Sequence, residues 1–506
     1  MQPPIKKCMQ TAIIVAYMFK RTSKKQLLIR RTIIYIVMVF AVLVIVAGTI
    51  LFILGYRIDG AKGNLEQGGL VQYDSTPNGA SVKTDGKMIN SNTPTKQTVI
   101  AGTHSFEISK DGYDTWKKKI DVKAGTLEWL DYARLVPKDL KTESVAQYPQ
   151  VAGEVASRDN KWLMVQEKSD AATFQLVDLR AKDIKTTTIS LPASLYSDAA
   201  TQNVKHTFTM QEWDDGGRYV IVKHAYNDKS EYLVVDTQDV GTSENISRSL
   251  SLSLNQVKFS GTSGNVFYGL SSDGVIRKLD ISNGTISRGL VTNAKSFDLY
   301  DTDIVTYVGI DPANAAHQVA GIYRDGDDEP HVLRVVNDLT TAVSIDTTRY
   351  YSSDYVAIAE GLKVTVLKGR YPSSSDADNS SLKQFADYAV SANVDTLGFS
   401  GSGDRLVTQS GTNFTSFEVE YQRKTDAVVS TSETAAHTLR WLDDAYLWAV
   451  YDGHLSIREF DGTNVHVIMS MEPGFDATLS QNGKFLYGIV KNGDRYELQR
   501  ATMVLN

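Results

Sequence analysis

Hydrophobic residues fall into two very different patterns along this chain. From Ile33 to Tyr56 it reads IIYIVMVFAVLVIVAGTILFILGY, 24 residues without a charge. At 1.5 Å per residue, a helix of this length crosses a hydrocarbon core of roughly 30 Å with some tilt. A core helix of a water-soluble domain would carry a polar stripe, whereas this stretch is apolar all round. The pattern predicts a single transmembrane helix over residues 33–56. Beyond it the period shortens to that of strands: short β-branched and aromatic runs separated by Gly, Asn, Asp and Pro. The chain is expected to be mainly β.

A polar, glycine-rich linker is expected over 57–68. Candidate strands follow at Gly69 to Tyr73, Ala80 to Thr84, Thr95 to Ile100, Gly102 to Lys110, Trp116 to Val122 and Thr126 to Leu135. Turn residues punctuate them at Pro77-Asn78-Gly79, Asp85-Gly86, Ala101-Gly102 and Asp111-Gly112. This spacing predicts a small β-sandwich over 69–137. The order of features also resembles the PEGA domain of bacterial surface proteins. Pro77, Gly79 and Ala80 match three of its four name-giving residues, with Asn78 where the family usually has Glu. Asp85-Gly86-Lys87, Thr93-Pro94, Gly102 and Gly112-Tyr113 extend the match. Pro and Gly shape such a turn while the Glu position faces solvent, so the departure at Asn78 costs little. The resemblance implies envelope association and protein or cell-wall contacts, without catalysis.

From residue 138 to 506 a weak unit recurs: a turn, an apolar strand, a second turn, and a strand ending near Asp. Clear copies begin at Ser157, Asp214, Phe259, Phe399, Trp441 and Leu479, and looser ones span Tyr300 to Tyr323 and Tyr351 to Leu367. Repeats of about 40–55 residues without helices predict a β-propeller of seven or eight blades. Two consecutive β-sandwiches are the alternative. The turns, Ser480-Gln481-Asn482-Gly483-Lys484 most clearly, resemble those of TolB-like and WD40-like propellers.

Charge adds an orientation. Lys6, Lys7, Lys20, Arg21, Lys24, Lys25, Arg30 and Arg31 precede the apolar stretch, and no acidic residue lies among the first 32. Basic flanks stay in the cytoplasm, so residues 1–32 are expected to be a cytoplasmic tail and everything after Tyr56 to lie outside a cytoplasmic membrane. Ile53 to Arg57 offers no small-residue cleavage site, so the segment is expected to be an uncleaved signal anchor. The apolar run Thr11 to Phe19 is too short to span. The rest of the chain carries 45 basic and 59 acidic residues, a balance that argues against nucleic acid as partner. Cys8, the one cysteine, lies in the tail, leaving the exported part without disulfides or cysteine-ligated metal.

Candidate chemistry is sparse. His104, His206, His224, His317, His331, His437, His454 and His466 form no local zinc motif. Asp325-Gly326-Asp327-Asp328-Glu329 lacks EF-hand spacing and is expected to be a solvated loop. Gly398-Phe399-Ser400-Gly401-Ser402 starts like a nucleophile elbow but sits inside a strand repeat, and Ser272-Asp273-Gly274 lacks the tryptophan of a sialidase-type box. Asn245, Asn283, Asn379 and Asn413 head chance glycosylation matches. Trp116, Trp129, Trp162, Trp213, Trp441 and Trp448 are expected mostly in cores. No catalytic, cofactor-binding or metal-ligating residue is assigned and no enzyme is expected. The expected function is a membrane-anchored envelope binding or scaffold protein, held in the lipid bilayer by 33–56 and engaging an envelope protein or cell-wall polymer. The alternative is an exported hydrolase with its site in the propeller channel.

Overall fold

The computed structural model describes residues 23–53, 56–58, 65–373, 381–429 and 438–505. Cys8, the basic residues before Ser23, Thr11 to Phe19, Asn379 and His437 lie outside the described residues. Two compact units are present. One comprises Met1–Ser109 with Lys117–Arg134, and the other Lys110–Trp116 with Leu135–Asn506.

Helix α1 spans Lys24–Ile53, so it starts before the expected span of 33–56, and Tyr56, expected at the helix end, instead begins a strand. Ser23 and Gln26 form a reciprocal capping box, Gln26 N–H to Ser23 Oγ and Ser23 N–H to Gln26 Oε1, both at 3.3 Å. Thr32 and Thr49 donate to the carbonyls of Leu28 and Ile45 at 3.0 and 2.7 Å, so neither hydroxyl needs water. The helix is long and apolar enough to cross a membrane, and none of its apolar window is buried in the protein. Lys24 and Lys25 oppose the positive end of the helix dipole, a local cost that an anionic surface would offset.

The sandwich has two four-stranded sheets. Leu65–Thr76 is central in one, paired with Tyr56–Ile58, Thr95–Ile100 and, in parallel, Leu127–Arg134. Part of the expected linker is therefore strand. The other sheet runs Lys87–Asn92, Ser81–Thr84, Gly102–Ser109 and Trp116–Val122. The strand Lys87–Asn92, unforeseen because its side chains are mostly exposed, follows a two-residue turn in which Asp85 and Gly86 both have positive φ. Strict alternation puts Val71, Tyr73, Val82, Phe106, Ile108, Ile120, Val122 and Leu130 inside. Thr93 closes the Pro77-Asn78-Gly79 turn. Its carbonyl accepts from Gly79 N–H at 2.9 Å, its hydroxyl accepts from Ala80 N–H at 3.0 Å and lies 2.6 Å from Ser75 Oγ. Asn78 is exposed, as expected for the Glu position.

Among the described residues the second unit holds eight four-stranded antiparallel sheets, numbered along the chain. Their first strands are Gly153–Ala156, His206–Trp213, Leu254–Phe259, Ala294–Tyr300, Val343–Tyr350, Thr396–Phe399, Arg440–Trp441 and Thr478–Leu479. Each recurrent sequence unit turns out to be the second and third strands of one sheet, for example Tyr446–Tyr451 with His454–Glu459. These central strands are buried nearly throughout, as in Arg405–Ser410, because both faces of each sheet are covered. Outer strands such as Arg423–Val428 alternate or are exposed.

Apolar clusters join the faces of successive sheets. Met164 and Phe174 pack with Trp213 and Val220, Tyr268 with Phe297 and Val305, and Tyr355 and Ala357 with Leu406 and Phe417. The eighth sheet packs back on the first through Tyr487, Ile489 and Leu498 against Leu163, Val165 and Val177. Its outer strand is Thr142–Tyr148, from the start of the unit, paired with Arg495–Thr502 near the end. The arrangement is propeller-like. Two consecutive sandwiches would leave sheets with one partner, whereas the first sheet packs against both the second and the eighth.

Candidate functional site

Inter-sheet polar contacts gather on the first strands. Trp213 Nε1 donates to Val155 O at 3.0 Å, and Trp441 Nε1 to Gly398 O at 3.2 Å, so each indole ties its sheet to the preceding one. Glu212 accepts the Phe259 N–H at 2.9 Å, and Lys258 bridges Glu212 and Asp298, both at 3.1 Å. Gln256 donates to Phe297 O at 2.8 Å, and Asp346 accepts the Phe399 N–H at 2.7 Å. Arg440 pairs with Asp476, whose N–H donates to Glu154 at 2.7 Å and links the eighth sheet to the first. A first strand exposes an unpaired backbone edge, and these side chains satisfy it.

Two carboxyls on this inner edge are shifted upward. Glu154 is pushed to about 8 by burial, against a smaller opposing pull from Arg440, and its Oε2 is buried without a hydrogen-bond partner. Asp346 is pushed to about 6, again by burial, with the Phe399 and Thr347 N–H groups pulling the other way. Where burial outweighs the few donors present, a carboxyl favours its neutral form.

A second constellation lies in the second sheet. His206 Nδ1 is 2.9 Å from His224 Nε2, and His224 Nδ1 is 2.9 Å from Glu231 Oε1. Ser197 anchors the carboxylate through N–H at 2.7 Å and Oγ at 2.8 Å. Burial works against ionisation of Glu231, but the hydrogen bonds from His224, Asn245 and Ser197 outweigh it and hold the pKa at about 2. An ionised carboxylate only accepts, so His224 Nδ1 donates to Glu231, and His224 Nε2 shares a hydrogen bond with His206 Nδ1. Phe208 and Tyr226 stack on His224 at 4.5 and 4.9 Å, and Tyr196 meets both imidazoles edge-on. The histidines are 18 residues apart and join only because adjacent strands pair in register. A histidine inside the apolar run Val220–Val222 to Ala225 was the available sequence signal.

Other candidates resolve into structural parts. Ser400 Oγ donates to Asp404 at 2.9 Å and accepts the Arg405 N–H at 3.3 Å, locking a turn. Ser157 and Ser480 lock equivalent turns with Asp159 and Asn482. The acidic loop is not simply solvated: Asp325 pairs with Lys278 at 2.5 Å, Asp327 is buried and 3.1 Å from His331, and Arg288 holds its carbonyl at 2.7 Å. Asp273, behind Ser272, takes the Ser271 hydroxyl at 2.6 Å and pairs with Arg277 at 3.2 Å. His104 bridges Asp85 and Ile100 O, His317 lies 3.9 Å from Asp311, and His454 meets Asp452 O at 2.7 Å. His466 is lowered by burial beside Asp114 and Glu459. Asn245 is buried and caps a helical turn through the Arg248 N–H, while Asn283 and Asn413 are exposed. Trp116, Trp213 and Trp448 are buried, Trp129 and Trp441 are half-buried, and half-buried Trp162 carries Arg180 over its ring at 4.5 Å. Among the described residues, no group of three or more His, Cys, Asp or Glu is placed to hold a metal ion.

Residues 69–137 match the PEGA domain family. The turn built by Pro77, Gly79, Ala80 and Thr93 lies within that match. Comparison with curated proteins finds no match. Solved structures similar to the chain include Hsv2 of Kluyveromyces lactis, at 12% identity over 64% of this chain and 98% of that one, with a TM-score of 0.39. The Cps50 (Swd1) β-propeller domain of Myceliophteria thermophila is 11% identical over 71% and 99%, with a TM-score of 0.36. The computationally designed Ika8 protein is 13% identical over 71% and 98%, with a TM-score of 0.42. The propeller-like description rests on the eight sheets and the clusters between them.

Proposed function

We propose that this chain is a single-pass membrane protein that displays a PEGA domain and an eight-bladed propeller outside a cytoplasmic membrane, as a binding or scaffold element of the bacterial envelope. The observation that carries this reading is α1, whose apolar window is wholly unburied and is preceded by basic residues with no acidic counterpart. The PEGA match supports an envelope setting. A ring of sheets whose last member takes a strand from the start of the unit is rigid enough to present loops to a partner. In this reading the protein is not an enzyme, and its partner is an envelope protein or cell-wall polymer.

Two measurements test it. Protease added to intact cells without an outer barrier is expected to digest the region after Tyr56, and protection of that region would overturn the orientation. Cross-linking of the full-length chain in membranes is expected to capture an envelope protein or wall fragments, and recovery of neither would remove the scaffold reading. The alternative, an exported hydrolase, is favoured by one observation only, the oriented Glu231–His224–His206 relay. Loss of a measurable hydrolysis of envelope material on His206→Ala would be needed to establish it.

A further inference from the structure

Three arginines, Arg324, Arg349 and Arg370, line an open, mainly polar cleft of about 480 Å³ where the fourth and fifth sheets adjoin. Arg324 ends the third strand of the fourth sheet, Arg349 lies in the first strand of the fifth, and Arg370 follows the fifth sheet's third strand. Arg349 is fixed through one atom, Nε to Asp354 Oδ1 at 2.6 Å, and Asp354 is itself held by the Tyr371 N–H at 2.8 Å. The Nη groups of Arg349 have no acceptor among the described residues. Arg324 lies 3.8 Å from Asp303, beyond hydrogen-bond distance. Arg370 is exposed and has no carboxylate partner among the described residues. The Asp303 carboxyl is raised above its ordinary value by burial, with Arg324 and Arg349 pulling it down and Asp301 and Asp325 pushing it up.

A structural arginine normally spends its planar fork on a carboxylate or on carbonyls, as Arg218 does on Asp236 with contacts of 2.6–3.1 Å. Around this concave surface Arg349 spends only Nε on Asp354, Arg324 is held loosely by Asp303, and Arg370 has no carboxylate partner among the described residues. Guanidinium geometry matches two oxygens of a planar or tetrahedral oxyanion. We propose that this cleft binds an oxyanion, the phosphate or carboxylate group of a small polar ligand. Asp354 aims Arg349, and Arg370 supplies the uncompensated charge. The proposal goes beyond the scaffold reading and stands whichever side of a membrane the sheets occupy.

Calorimetric titration of the full-length chain in micelles of an uncharged detergent tests it, with glycerol phosphate, glucuronate and glycerol as probes at low salt. At least one of the two anions is expected to bind in the millimolar range or tighter, and glycerol not to bind. The preferred anion distinguishes a phosphorylated from a uronic-acid source. Arg370→Ala is expected to weaken binding about tenfold and Arg370→Lys less, because lysine keeps the charge but loses the fork. Arg324→Ala provides a second exposed variant, and an unchanged melting curve shows that either protein is folded. Binding of neither anion, equal binding of glycerol, or affinities unchanged in both alanine variants would overturn the proposal.

Discussion

Glu154 and Glu231 stand in neighbouring sheets, one on the inner edge of the first and one in the second sheet's central hairpin, and their carboxyls shift in opposite directions. Glu154 receives one backbone N–H and keeps an oxygen without a partner, so burial prevails and the proton is retained to about 8. Glu231 is also buried, yet His224, Asn245 and Ser197 supply enough donors to keep it ionised down to about 2. Burial raises both carboxyls, and the donors around Glu231 reverse the outcome there. The inner edge is thus a seam sealed by partly satisfied groups, and the relay is a saturated network.

The largest expected effect comes from emptying the saturated network. Glu231→Ala leaves the Ser197 donors and His224 Nδ1–H without an acceptor, and is expected to cost about 3–5 kcal/mol in denaturant unfolding. A loss below about 1 kcal/mol would show that the network carries little stability. The two carboxyls should also part on a pH axis. A raised folded pKa means that stability is full below the ordinary value and is lost as pH rises through about 8, so the wild-type melting temperature should fall between pH 5 and pH 8 on account of Glu154. Glu154→Gln is expected to flatten that interval and to melt higher than wild type at pH 8. A depressed pKa works the other way. The Glu231 contribution is present above the ordinary glutamate value and is lost as pH falls toward about 2, so Glu231→Gln should remove part of the acid sensitivity.

Smaller changes probe the seam. Trp213→Phe keeps the buried ring but orphans Val155 O, with an expected loss of about 1–2 kcal/mol by thermal unfolding. Ser400→Ala removes one turn lock and should cost about 1 kcal/mol or less. A loss for Ser400→Ala as large as that for Glu231→Ala would erase the distinction between seam and network.

Much of the architecture was legible along the chain. The uncharged run from Ile33, the Asp85-Gly86 turn and the eight recurrent strand pairs are local in origin, although the helix runs from Lys24 to Ile53 and Tyr56 pairs as strand. The Ser-Asp turns were legible as turns, though not as hydrogen-bonded locks that consume Ser400. The helix start at Lys24 was less visible, because a capping box at Ser23 and Gln26 is a short signal beside a long apolar run.

By itself, then, the sequence determined the apolar helix, the PEGA-like sandwich and the strand repeat, since each follows from periodicity within a few tens of residues. Tertiary structure alone decided the closing of the eighth sheet by Thr142–Tyr148, the meeting of His206 with His224 and Glu231, and the convergence of Arg324, Arg349 and Arg370. These depend on which strands become neighbours and in what register. Burial then sets the charge of Glu154, because a carboxyl's pKa belongs to its surroundings and not to its place in the chain.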